Sequence, residues 1–349
     1  MYYYDEFGKE FEDELSFHEY LEEIDERAKW IRVPSRSLSV LTVSGHEVLM
    51  PDIENVDMKD LLADTKKHSG LLLQFPEGMY PLGKTAVSTL KDRARIKGTA
   101  LMDVKKTVLA DILNECLQVS KGEALLRISE GKVRGVLSGD EADYAIISMP
   151  KLFMIASAYI SGDHNAEFSY AYADLMAEHG KTPFGKFQTF IRIVSSDVGA
   201  SGANIFYSIL DGDYTIVLGE ALRTKHRHKQ GLEEFTENME SIFQYYKQKL
   251  KDIGKLCDIR IRYPVNTLSE VMKKQSFGKK LIAETVERFK VNFGEQPCSA
   301  YEIYCGLCEA LFFARKNGSS PSSLVKMEEK IARCMNVRWH DCDMPGELS

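Results

Sequence analysis

Two stretches of this chain restrict its fold more than any other feature, because both close on turns that return the backbone antiparallel. Ala124–Ser129 and Lys132–Leu137 are separated by Glu130-Gly131, the two-residue spacing of a hairpin. Phe187–Val194, Ala203–Leu210 and Tyr214–Leu218 follow as a three-strand meander, with Gly199, Gly202 and Asp211-Gly212 in its turns. Helical periodicity occupies Lys84–Ile96, Leu101–Cys116, the stretch around 150–180, Gly231–Leu250, Ser299–Lys316 and Ser322–Cys334. Strand runs followed by helix runs, instead of alternation, predict an α+β fold. Its antiparallel sheet is built from hairpin and meander, flanked by helices, with a helical C-terminal region.

Charge divides the chain unevenly. Residues 1–30 hold eleven Asp/Glu against three Lys/Arg, whereas the rest of the chain is close to neutral, at +1. Ser16 with Glu19 reads as a capping box, and Tyr20, Leu21, Ile24, Ala28 and Ile31 form a helical stripe that Pro34 ends. The organisation expected is therefore an acidic helical arm over 1–33, an α+β core over 34–255 and a mainly helical region over 256–349. No eighteen-residue apolar run is present, so no membrane partner is expected. The acidic N-terminus and the odd count of seven cysteines suggest a reducing cytoplasm, without export.

Four basic clusters break up the neutral body. Lys84–Lys106 carries Lys84, Lys91, Arg93, Arg95 and Lys97, and Arg223–Lys229 carries Arg223, Lys225, Arg227 and Lys229 with two histidines and no acid. Lys247–Arg262 and Lys273–Lys280 are the others. Such density suits a phosphate backbone, although a solvated face is the commoner origin of a charge run. With Glu130-Gly131 as the loop, Arg127 is expected directly opposite Arg134, a like-charge pair that solvent, a carboxylate or a phosphate must compensate.

One motif matches literally. Gly78–Thr85 fits G-x-x-x-x-G-K-[ST], so Gly78, Gly83, Lys84 and Thr85 form a candidate nucleotide site. Pro76 and the bulky Met79-Tyr80-Pro81-Leu82 filling fit a phosphate nest poorly. Cys305-x-x-Cys308 lies in an apolar helix and reads as buried thiols instead of a zinc knuckle. No Ser-His-Asp, H-E-x-x-H or paired-carboxylate pattern points to catalysis, and no cofactor or metal is expected.

The middle of the chain resembles the phage/plasmid-like proteins, a domain of bacteriophages and mobile elements. The resemblance lies in Lys84-Thr85-Ala86-Val87-Ser88-Thr89-Leu90, in Leu125-Leu126-Arg127 with Val133-Arg134-Gly135-Val136-Leu137-Ser138, in Ser195-Ser196-Asp197-Val198-Gly199, and in Arg223–His228. It spans about residues 80–310 and departs from the family at Gly139-Asp140-Glu141 and Leu210-Asp211-Gly212-Asp213. It implies a non-enzymatic role in DNA transactions within a bacterial host, with single-stranded DNA as partner and annealing in recombination as the setting, self-association being compatible with that role. The alternatives are a protein-interaction factor, such as an inhibitor of a host defence complex acting through the acidic arm, and a P-loop nucleotide-binding protein.

Overall fold

The structure, a computed structural model, describes residues 4–43, 56–98, 100–159, 161–167, 170–182, 185–211, 214–224, 226, 231–319 and 321–346. The fold is α+β, with antiparallel sheets and a helical C-terminal region. Two compact units form. The first comprises Met1–Ala173, Val194–Ala203 and Thr224–Thr236, and the second Asp174–Ile193, Asn204–Arg223 and Glu237–Ser349.

In the first unit the acidic segment is part of the body. Strand β1 (Gly8–Phe11) pairs antiparallel with a strand 150 residues later, and helix α1 (Glu14–Arg27) buries Phe17, Tyr20 and Leu21. The helix is capped by Asp13, whose carboxylate accepts from the Ser16 amide, so Ser16 lies in the first turn and is not the cap. The expected continuation of the stripe to Ile31 fails because Lys29–Pro34 is strand β2. Its alternating Trp30 and Arg32 fit a pleated edge, and a strand from far along the chain supplies the pairing.

The core of this unit lies among two small sheets and two helices. Strand β3 (Ser39–Thr42) precedes helix α2 (Met58–His68) and the hairpin of β4 (Leu71–Phe75) with β5 (Gly78–Pro81). Helices α3 (Lys84–Arg93) and α4 (Lys106–Gln118) lead into β6 (Glu123–Ser129) and β7 (Lys132–Ser138), which with β2 make a three-stranded sheet in the order β2–β6–β7. Leu71 and Leu73, Val87 and Leu90, Leu109 and Leu113, and Leu126 and Val133 meet in one buried cluster. Asn114 on α4 donates to the Val40 carbonyl at 2.9 Å and accepts from its amide at 2.6 Å, pairing a strand edge with a side chain. Helix α5 (Met149–Ser157) packs Phe153 edge-on to Phe17 at 5.2 Å, and β8 (Ser161–Glu167) is the partner of β1. Where helix was expected through residue 180, the backbone is therefore extended from Ser161 onward.

The meander is present as β10 (Gly185–Ser195), β11 (Ala203–Asp211) and β12 (Tyr214–Val217), preceded by β9 (Tyr170–Thr182) and followed by β13 (Leu222–Thr224). In the second unit β11 and β12 pair antiparallel with Asp211 opposite Tyr214. The long helix expected over Gly231–Leu250 divides at Ser241 into α6 (Gly231–Glu240) and α7 (Ile242–Gly254). Tyr246 of α7 donates to the Ser208 carbonyl at 3.2 Å.

A short β14 (Arg260–Ile261) leads into helices α8 (Pro264–Lys274) and α9 (Lys279–Phe293). Strand β15 (Cys298–Ser299) pairs with β14 ahead of α10 (Ala300–Lys316) and α11 (Pro321–Cys334). Ser299 and Glu302 form a full capping box on α10. Gly306 is required by packing: a Cβ there would lie 2.6 Å from Cδ2 of Phe289. Cys305 and Cys308 sit on α10 as thiols, and burial pushes Cys305 up to about 12 and Cys308 well above its ordinary value. No helix among the described residues is long and apolar enough to cross a membrane.

Candidate nucleic-acid interface

The sheet β2–β6–β7 has one apolar face and one charged face, and along β6 and β7 both are buried. Ile128 stands opposite Val133 as expected, but a bulge between Arg127 and Ile128 puts Gly135, not Arg134, across from Arg127. Arg134 is the extra residue of β7, which turns its guanidinium away from direct opposition. Arg127, Lys132 and Arg134 are all nearly inaccessible, at 2%, 0% and 1%. Charges so deep need partners. Arg127 is paired with Asp197, Lys132 with Asp64, and Nη1 of Arg134 lies 2.6 Å from Oδ1 of Asp5. The same Asp5 oxygen is 3.4 Å from the Lys132 ammonium. Burial pulls Arg134 down to about 10, with Asp5 opposing the shift, so it stays charged at neutral pH. The compensation that the sequence required is thus supplied by carboxylates. Arg127 and Arg134 are interior residues and leave the set of expected phosphate contacts.

The P-loop reading falls to the same carboxylate. Gly78–Pro81 is strand β5, paired with β4, so its amides belong to a sheet and not to a nest. The Gly83 amide donates to the Val133 carbonyl at 2.9 Å, and the Lys84 amide donates to Oδ2 of Asp5 at 2.9 Å. Thr85 donates its hydroxyl to the Arg134 carbonyl at 2.8 Å. Asp5 therefore holds the position at the start of α3 that an anion would take, and Gly78, Gly83, Lys84 and Thr85 serve the fold.

The remaining cations of the Lys84–Lys106 cluster separate by depth. Lys91 is buried, and its ammonium donates to the Gly98 carbonyl at 2.6 Å, which ties down the loop after α3. Helix α3 stops at Arg93, and Arg95 has φ +60°, so Lys84, Lys91 and Arg95 do not share a helix side. Arg93 is half-buried; its Nε donates to Ser35 Oγ at 2.7 Å and its Nη2 donates to the Lys121 carbonyl. Those contacts bring Arg36 and Lys121 beside it. Among the described residues, Arg36, Arg93, Arg95, Lys97 and Lys121 have no carboxylate within ion-pair distance, and all but Arg93 are exposed. Burial, with Arg95 adding to it, lowers the Arg93 guanidinium. In the other cluster, Arg223 belongs to the second unit and lies 3.9 Å from Glu329, and Lys225, Arg227 and Lys229 fall outside the described residues.

Next to Arg93 the first unit opens into a cleft of about 630 Å³, between the end of α3, the end of β7 and the loops around Tyr144 and Gly199. This is within the range of small-ligand sites. Gly199 has φ +77° and packs so closely that a Cβ would meet Leu137 Cδ2 at 2.6 Å; only glycine lets this loop form the wall. Tyr144 stacks on His226 with centroids 5.4 Å apart and planes 11° from parallel. Behind them stands Trp30, 6.5 Å from Tyr144, with the Arg127 guanidinium 5.7 Å from its ring. The Tyr144 hydroxyl reaches the Asp197 carbonyl at 3.5 Å. Burial, reinforced by Asp197, pushes the phenol far above its ordinary value, so Tyr144 is neutral.

His226 is 7% exposed, both ring nitrogens are shielded from solvent, and the imidazole lies against the Ala145 backbone. Burial pushes its pKa below the ordinary histidine value and outweighs the pull of Asp197. The sign of the consequence follows from linkage. Above pH about 6.5 both folded and unfolded forms are neutral, whereas below it the unfolded chain binds a proton that the folded one refuses. Stability of the first unit is therefore expected to fall as pH drops below about 6.5, and His226→Gln is expected to flatten that part of the profile. Urea midpoints between pH 5 and 7.5 test this; a variant profile parallel to the parent's would remove His226 as the cause.

Sequence reasoning missed Asp5, Asp64, Trp30, Tyr144 and Asp197 as members of one constellation. Only Asp197 had a signal, in the Ser195–Gly199 turn. No family model matches this chain, and neither a curated protein nor a solved structure does.

Proposed function

We propose that the first unit binds single-stranded DNA, with the sugar-phosphate backbone following the cations around the end of α3. One observation supports this most: Arg36 and Lys121 flank the groups that Arg93 hydrogen-bonds, Arg95 and Lys97 follow it in sequence, and none has a carboxylate at ion-pair distance among the described residues, Asp143 acting on Arg93 only from further away. Unneutralised cations cost little in water but repel one another, and a polyanion relieves that repulsion. The aromatic-walled cleft adjoining Arg93 adds surfaces of the kind on which unpaired bases stack. The role is binding or annealing without catalysis, as the resemblance to phage/plasmid-like proteins implies.

A salt titration of oligonucleotide binding tests the reading. Exposed Arg95 and Lys97 can be changed without disturbing a buried contact. Arg95→Ala with Lys97→Ala is expected to weaken binding and to reduce the slope of log K against log salt by about 1.4, at about 0.7 per lost single-strand phosphate contact. No measurable binding by the parent protein at low salt would end the proposal. A detached acidic arm that captures a protein partner has less support, because Asp5, Phe17 and Tyr20 are packed into the body. Deleting residues 1–30 would also remove β1, α1 and the start of β2, so point substitutions replace it as the test.

A further inference from the structure

We infer that Lys274 and Cys342 form an oxidant-sensitive couple, which peroxide joins covalently through one oxygen between Nζ and Sγ. It concerns the second unit alone and does not depend on the single-strand reading. The two atoms lie 3.1 Å apart, although 68 positions separate the residues in the chain. One bridging oxygen spans that gap with little movement, whereas a direct S–N bond requires closer approach. Cys342 is a free thiol, 1% exposed, and follows the turn Trp339–Asp341, whose Trp339 is buried. The next residue, Asp343, accepts from the Arg262 amide at 3.0 Å and from the Tyr263 amide at 2.7 Å, where α8 begins. Asn266 donates to the Met344 carbonyl at 3.1 Å and to the Gly346 carbonyl at 2.8 Å. Residues 339–346 are thus a strap laid on α8, and Lys274, the last residue of that helix, donates to its sulfur.

Lys274 is exposed, and among the described residues Asp341 and Glu270 act on it only from beyond ion-pair distance. Thiol sulfur is a weak acceptor, so the contact adds little stability to the reduced fold. Its effect is to fix an amine nitrogen on the sulfur that oxidants attack. Peroxide, hardly larger than water, reaches that sulfur by local opening of the strap, whose His340, Asp341 and Met344 are exposed. The steps balance with hydrogen peroxide as oxidant. The sulfur attacks the first peroxide: an S–O bond forms, the O–O bond breaks, water leaves, and the thiol is oxidised to a sulfenic acid. Lys274 then gives a proton to solvent. A second peroxide takes up two electrons and two hydrogens, one from the sulfenic O–H and one from the amine, as the N–O bond forms, and it leaves as two waters. The pair as a whole loses two hydrogens and gains one oxygen.

The test treats the full-length protein with hydrogen peroxide and maps its tryptic peptides without reductant. The expected product joins the peptides of Lys274 and Cys342 at their summed mass plus one oxygen less two hydrogens, is uncut after Lys274, and separates in dithiothreitol. Cys342→Ser is expected to abolish it. Lys274→Arg keeps the exposed positive charge and is expected to abolish it too, leaving Cys342 as sulfinic or sulfonic acid; this variant keeps the test valid if the serine variant does not fold. The bridged protein is expected to unfold at a higher urea concentration than the reduced one, read from Trp339 in a Trp30→Phe protein. Three results would each overturn the inference: a Cys334–Cys342 disulfide, a sulfinic acid on Cys342 of the parent with no linked peptide, or a Cys342 thiol that stays reduced while the exposed Cys257 is oxidised.

Discussion

Replacing Asp5 by alanine is expected to destabilise the first unit by about 3–5 kcal/mol, the usual result of removing one partner from a buried ion pair. Arg134 is 1% exposed and Lys132 is fully buried. The lost carboxylate serves a guanidinium, an ammonium and the Lys84 amide together. Lys132 keeps Asp64, which places the main loss on Arg134. The chain's two tryptophans, Trp30 and Trp339, lie one in each unit, so fluorescence of a Trp339→Phe protein reports the first unit alone. The urea midpoint should fall with the slope unchanged. Asp5→Ala should cost much less in an Arg134→Met background, because the charge needing compensation has gone. A loss below about 1 kcal/mol in the parent background would mean that water reaches Arg134 and that the pair is not structural.

A comparable loss, about 3–5 kcal/mol, is expected in the second unit for Glu328→Ala. Glu328 is fully buried on α11 and is paired with Arg192 of β10, itself 7% exposed. The Arg315 guanidinium lies 3.9 Å from the other carboxylate oxygen and is held by the Thr215 hydroxyl at 2.7 Å. Removal of the carboxylate takes its ion-pair partner from a buried strand cation. Trp339 fluorescence in a Trp30→Phe protein should show the fall. The pair need not be the best solution, only a closed one: Arg192→Met with Glu328→Leu together should restore most of the loss. If the double variant is as unstable as the single one, shape rather than charge governs the site.

Much of the sheet was legible because its signals are local. Glu130-Gly131 specifies its turn within four residues, and β6, β7, β10, β11 and β12 fall where alternation placed them. What escaped depends on distant partners. Ile31 fits a helical stripe until β6 offers it a ladder, opposite Leu126. The bulge at Arg134 is one residue of slack that no pattern marks, yet it decides whether two arginines face each other. Lys91 reads as a surface cation because its target is a carbonyl seven residues on, exposed only by the turn that follows α3. The cleft was least legible of all: α3, β7, Tyr144, Gly199 and His226 come from separate parts of the chain.

The seat of Asp5 also governs the order of events during synthesis. Its guanidinium partner follows 129 residues later, a wait on the order of ten seconds at ordinary translation speeds of about 5–20 residues per second. Through that interval the Asp5 carboxylate lacks its guanidinium partner, and the acidic residues around it keep the segment hydrated. The seat of Asp5 on Arg134 therefore closes only once β7 has been made, so two segments far apart in the chain must find each other late in folding.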